Sequence, residues 1–204
     1  MSQAVGARRL LPARVAWRTV DIVVLAVVAA VFGAIYWAVG LLQSTSLFGV
    51  FPPLAAILNV VFLMAGPLGA LIIRRPGAAL AAELLAALFE ALVSVSWSGS
   101  SIIVYGLLEG AAAELGFLLF VYRRWSLEVA LLSGALSGAA MALLDVWIYG
   151  YYSDFPADQK FAYLGIAMVA GAVIAGGVSW VLVRSLAATG VLAPFAAGRA
   201  QHLV

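Results

Sequence analysis

Residues 74–124, RRPGAALAAELLAALFEALVSVSWSGSSIIVYGLLEGAAAELGFLLFVYRR, decide the fold. They hold two apolar segments, about 76–97 and 101–122, each long enough to cross a bilayer as a helix. An arginine pair fences each far end of this hairpin, and the turn at 98–101 carries no charge. Four glutamates nevertheless sit inside it: Glu83, Glu90, Glu109 and Glu114. An ionisable side chain at membrane depth costs roughly 2.5–3.5 kcal/mol on the mildest scale, so each is a functional candidate by default.

Composition agrees. Of 204 residues, 66% are hydrophobic and 10% charged, against about 25% charged in a soluble domain. The whole chain reads as a single integral membrane domain. It has no cysteine, hence no disulfide or thiolate metal site. Its one histidine, His202, falls in a polar tail and reads as solvated. A net charge of +2 gives no reason to expect nucleic acid. A phosphate-binding loop needs glycines and a lysine in Gly-x-x-x-x-Gly-Lys-[Ser/Thr], and the single lysine, Lys160, follows Gln159. Any ATP-driven work would need an ATPase on another chain.

The rest of the chain supplies four more spans, giving an all-α protein of six transmembrane helices at about 17–42, 52–73, 76–97, 101–122, 127–151 and 161–186. The first apolar run is too long for the 7–15-residue core of a signal peptide, so it reads as a retained helix. In it Ala26, Ala30 and Ala34 recur every four residues and form a small-residue stripe along which another helix can approach closely. The second helix should kink or loosen at Gly66-Pro67. In the fifth, Gly134-x-x-x-Gly138 is a weak signal that usually means packing within one protein. With six helices, Arg8, Arg9, Arg14, Arg18, Arg74, Arg75, Arg123, Arg124, Arg184 and Arg199 all fall on one side, and only Lys160 on the other. The positive-inside rule then puts both termini in the cytoplasm.

Topology converts sequence offsets into depth. Glu90, Glu109, Asp145 and Asn59 lie six to eight residues from the outer ends of their helices. At 1.5 Å per residue all four should sit roughly 9–12 Å below the outer surface. Glu83 is seven residues from Glu90 and shares its face. Glu114 points about 140° away from Glu109 and reads as structural. Aromatic residues crowd the same half: Tyr36, Trp37, Phe48, Phe51, Trp97, Tyr105, Trp147, Tyr149, Tyr151, Tyr152 and Tyr163. An interfacial belt explains some of them, but Tyr105 and Trp147 lie deeper than a belt requires. No Lys or Arg shares that half except Lys160, so these acids cannot form ion pairs there. For Asp21, near the inner end of the first helix, as for Glu83 and Glu114, a packing role with the carboxyl protonated or hydrogen-bonded to backbone stays open. Unpaired acids ringed by aromatics suit a cationic, planar small molecule, through charge compensation and cation–π contact.

The string Arg74-Arg75-Pro76-Gly77-Ala78-Ala79-Leu80, then Glu83, Ala86-Ala87-Leu88 and Glu90, resembles the third-helix signature of the YkoE-like substrate-binding S-components of energy-coupling factor (ECF) transporters. Gly110, Glu114, Phe117, Asp145, Ser185-Leu186-Ala187 and Thr189-Gly190-Val191-Leu192 look similar too. The resemblance implies a six-helix vitamin-capture subunit, not an enzyme and without a cofactor of its own, with thiamine or its hydroxymethylpyrimidine precursor as ligand. It implies as partners a membrane-embedded coupling subunit, meeting Ala26, Ala30 and Ala34, and cytoplasmic ATPases that use the ATP. Glu90 would compensate the thiazolium or bind the aminopyrimidine, with Asp145, Glu109 and Glu83 as further polar contacts. Trp97, Tyr105, Trp147, Tyr36 and Trp37 would stack on the ligand, and the loop with Phe48 and Phe51 would cover it. The assignments of Tyr36, Asn59 and Glu109 rest on depth alone. The rival reading is a proton-coupled carrier for a small organic cation, with the same acids as a relay. An intramembrane hydrolase would lack a histidine base at depth.

Overall fold

A computed structural model describes residues 16–43, 52–93 and 99–201. Trp97, Phe48 and Phe51, together with Arg8, Arg9, Arg14 and His202, lie outside the described residues. All the regular structure described is helical. In chain order it comprises α1 Thr19–Gln43, α2 Ala55–Asn59, α3 Ala65–Ile73, α4 Ala78–Val93, α5 Gly99–Leu118, α6 Leu127–Leu143, α7 Ala157–Ala170, α8 Ser179–Ala188 and a short α9 Ala196–Gln201. The segments Leu144–Ile148 and Gly171–Val178 are π-helical, so α6 runs on to Ile148 and α7 continues into α8. Five stretches are long and apolar enough to span a bilayer: Thr19–Leu41, Ala55–Ile73, Ser101–Leu118, Leu127–Ile148 and Ala157–Ala188. The remaining expected span is α4, whose description stops at Val93.

Every residue of α3 is buried. A nine-residue helix that is apolar all round belongs at the centre of a bundle, and α3 packs against α1, α4, α5, α6, α8 and α9. Glycines set the spacing around it. A Cβ on Gly134 would collide with the carbonyl of Gly171, and one on Gly138 with that of Ala167. The Gly-x-x-x-Gly pair is thus spent on packing α6 against the seventh helix and its π segment, where small residues let backbones approach without a hydrophobic drive from lipid.

The sequence boundaries need four corrections. The helix at Ala157 starts four residues earlier than expected, so Lys160 lies in its first turn rather than in a loop. The fourth span ends at Leu118; the chain then turns through Val121 and Tyr122, both left-handed (φ 51° and 54°). The tail is not free: Leu192, Phe195 and Ala197 are buried, and α9 packs back against α3 and α8. Asp21 is ion-paired rather than protonated or bonded to backbone alone: it accepts from Arg18 at 2.8 Å and from Arg75 at 2.6 Å with none of its side chain exposed.

A candidate ligand site built on unpartnered acids

The site begins with Pro67. Proline cannot donate to the carbonyl four residues back, and its ring clashes there. The helix accordingly tightens into a 3-10 turn at Val60–Leu63 before resuming at Ala65. Two backbone amides near this break find partners in side chains. Ala65 N–H donates to the Tyr36 hydroxyl at 3.0 Å, and Gly66 N–H donates to Glu83 Oε2 at 2.6 Å. Tyr36 in turn donates its proton to Glu83 Oε1 at 2.8 Å. Glu83 therefore ties α1, α3 and α4 together and has both oxygens engaged within the protein.

The antiparallel pair α4 and α5 has its register fixed by close glycine contacts. A Cβ on Gly106 would strike that of Ala87, and one on Gly110 would come within 2.9 Å of Glu83 Cβ. Continuing the register sets Glu109 level with Glu83, and Glu90 roughly 10 Å further from the arginine-rich end. Ser137 on α6 donates to the Glu109 carbonyl at 3.0 Å, which places Asp145, eight residues on, in the tier of Glu90. The acids thus form two tiers rather than the single depth expected. Offsets counted from presumed helix ends missed this because the helices do not start at a common height.

In the outer tier Asp145 accepts two phenols, Tyr105 on Oδ1 and Tyr163 on Oδ2, both at 2.5 Å. Tyr163 also accepts from Asn59 Nδ2 at 2.8 Å. The π segment carries Asp145, and a wide turn of this kind is a frequent feature of functional sites. The Tyr105 ring stacks on Tyr149 (5.2 Å, 15°), which stacks on Tyr151 (5.7 Å, 9°). Asp145 thus joins α5, α6 and α7, with α2 reached through Asn59.

Glu90 and Glu109 differ. They are 8% and 3% exposed, and neither carboxylate has a hydrogen-bond or ion-pair partner among the described residues. No described side-chain N or O is both sealed off and unpartnered, so the oxygens of these two carboxylates keep a little accessible surface. Of the other expected residues, Trp37 and Trp147 are 40% and 46% exposed, and Trp147 leans on the exposed Phe161. The structure brings Asn59, Tyr105 and Asp145 together, and Tyr36 with Glu83. It sets the two tryptophans on outer faces. Sequence reasoning named Tyr163 only as one aromatic among many, although its hydroxyl links Asn59 to Asp145. A separate groove of about 410 Å³, lined by Ile57, Gly165, Ile166, Val169, Ala170, Val173 and Ile174, is apolar and has none of these acids.

At the arginine-rich end the acids have partners. Glu114 accepts from the backbone N–H groups of Gly77 (2.6 Å), Ala79 (2.8 Å) and Leu80 (3.3 Å) and so satisfies the first turn of α4. Burial first, then the nearby Glu114 carboxylate, push the Tyr122 phenol above the ordinary tyrosine range.

A sequence profile described as "ABC-type cobalt transport system, permease component" matches residues 20–140. A Bacillus subtilis (strain 168) protein named as an HMP/thiamine permease, YkoE, is 35% identical over 185 residues, which cover 90% of this chain and 91% of the relative. A crystal structure of an S-component of an ECF transporter superposes with a TM-score of 0.79 at 32% identity, covering 92% of this chain and 94% of the other. The chain is a YkoE-like S-component of the ECF transporters. As an S-component it is a transport subunit of the bacterial plasma membrane rather than an enzyme. On this S-component α1 presents Ala26 and Ala34 on its exposed face, with Ala30 half-buried between them.

Proposed function

We propose that this S-component captures a thiamine-class ligand, cationic thiamine or its uncharged hydroxymethylpyrimidine precursor, in the half of the bundle remote from the arginines. The observation that carries the reading is the pair of buried carboxylates, Glu90 and Glu109, without a hydrogen-bond or ion-pair partner among the described residues. Positive-inside topology would make the arginine-rich end cytoplasmic, so the pocket would open outward. Glu90 meets the ligand's charge, with Glu109 beneath it. Asp145 and Glu83 already have two partners on their oxygens, so they shape the site, one through Tyr105 and Tyr163, the other through Tyr36 and the broken helix. Tyr105 offers its ring for stacking, and Trp97 with the Phe48 and Phe51 loop would close the site from beyond the described residues. The exposed Ala26 and Ala34, with Ala30, form the face for the coupling subunit, and cytoplasmic ATPases drive release. The name of the relative supports an organic ligand.

The test is calorimetric titration of thiamine, and separately of hydroxymethylpyrimidine, into the purified chain in detergent. Tight thiamine binding, far stronger than that of the pyrimidine, is expected. No binding of either by folded protein would overturn the assignment and favour a proton-coupled carrier, which would move a cation alone in liposomes under a pH gradient.

A further inference from the structure

Glu90 and Glu109 share a charge problem. The titratable groups that the helix register and the bonds above set in the two tiers with them are Tyr36 from α1, Glu83 on α4 itself, Tyr105 on α5, and Asp145 and Tyr163 from the outer ends of α6 and α7. α3 contributes none. Glu83 lies level with Glu109, and Glu90 and Asp145 lie one tier outward, so every carboxyl neighbour in the two tiers is another acid. Among the described residues no Lys or Arg is ion-paired to any of these groups: Arg18 and Arg75 are held by Asp21, and Lys160 lies in the first turn of α7. An isolated carboxylate in such surroundings does not stay ionised; it keeps its proton, because burying the bare charge costs several kcal/mol. A cation reverses that preference by bringing the missing countercharge.

We infer that capture of a cationic ligand here is an exchange, in which Glu90 gives up one proton as the ligand's positive charge arrives. The carboxyl O–H bond breaks, the proton passes to bulk water and the carboxylate remains against the cation. The charge of the site is the same before and after. Glu90 is assigned this role rather than Glu109 because it stands in the outer tier, about two turns nearer the entrance than Glu109 and the engaged Glu83. The inference rests on the cation-binding reading above.

Linkage fixes the sign. Binding that releases a proton is opposed by acid, so affinity tightens by up to about tenfold per pH unit while the empty site holds its proton. The experiment is titration of thiamine into the full chain in detergent, in buffers of different ionisation enthalpy and at several pH values. The expected result is an apparent enthalpy that tracks the buffer, corresponding to release of about one proton per thiamine, with affinity rising with pH. Uncharged hydroxymethylpyrimidine should show no such release, and Glu90→Gln should abolish it for whatever thiamine binding remains. Thiamine binding with no proton release and flat pH dependence would overturn the exchange and leave the substrate reading standing. So would equal release with the uncharged pyrimidine, or undiminished release in Glu90→Gln. Failure of the wild-type chain to bind thiamine while it binds the pyrimidine would overturn the exchange alone; failure to bind either would overturn both.

Discussion

The acids at the two ends of this bundle have the same chemistry and opposite circumstances. At the arginine-rich end Asp21 is shared by Arg18 and Arg75, and Glu114 by three backbone amides. In the other half Glu90 and Glu109 are buried and have no hydrogen-bond or ion-pair partner among the described residues. A buried charge with full partners is part of the fold. One with none is retained against its own cost and points to a partner that is not part of the chain. Glu83 and Asp145 stand between, buried and fully engaged beside the empty-handed pair.

The comparison can be broken by mutation. Asp21→Ala should have the largest effect, lowering stability by about 3–5 kcal/mol, because Arg75, only 11% exposed, is left buried without its carboxylate. The Arg18 pair, 40% exposed, adds little. Denaturant titration in detergent checks this, and a loss below about 1 kcal/mol would show that the cluster is not the keystone of this end. Glu83→Gln and Glu114→Gln should each cost about 1–3 kcal/mol, since an amide cannot accept on both of its terminal atoms and one donor is orphaned. Glu90→Gln and Glu109→Gln should sit at the bottom of the series, with stability unchanged or raised, because no contact with a described residue is lost and a neutral carboxyl is exchanged for a neutral amide of the same size. A marked fall in melting temperature for either would give it a structural role and erase the contrast.

Much of the fold was legible in sequence because lipid imposes simple rules. Long apolar runs have to be helices, and arginines gather on one side. Glu114 was separable from Glu109 by rotation alone, and the Gly134-Gly138 pair proved to pack within the chain. What sequence left open was pairing. Tyr36 reaches Glu83 across 47 residues, Arg75 reaches Asp21 across 54, and Asn59 reaches Tyr163 across 104. These contacts follow from helix register and crossing, which local patterns do not encode. The two tiers were hidden for the same reason. The break before Pro67 was readable, but its use, presenting two amides to Tyr36 and Glu83, depended on which helices lay alongside.

The central claim is that the partnerless acids are reserved for the ligand, and titration of thiamine into Glu90→Gln tests it most directly. Binding weaker than wild type by tenfold or more, about 1.4 kcal/mol or above, in a protein that melts no earlier, is the predicted result. Undiminished affinity in the folded variant would remove Glu90 from the site and contradict the account.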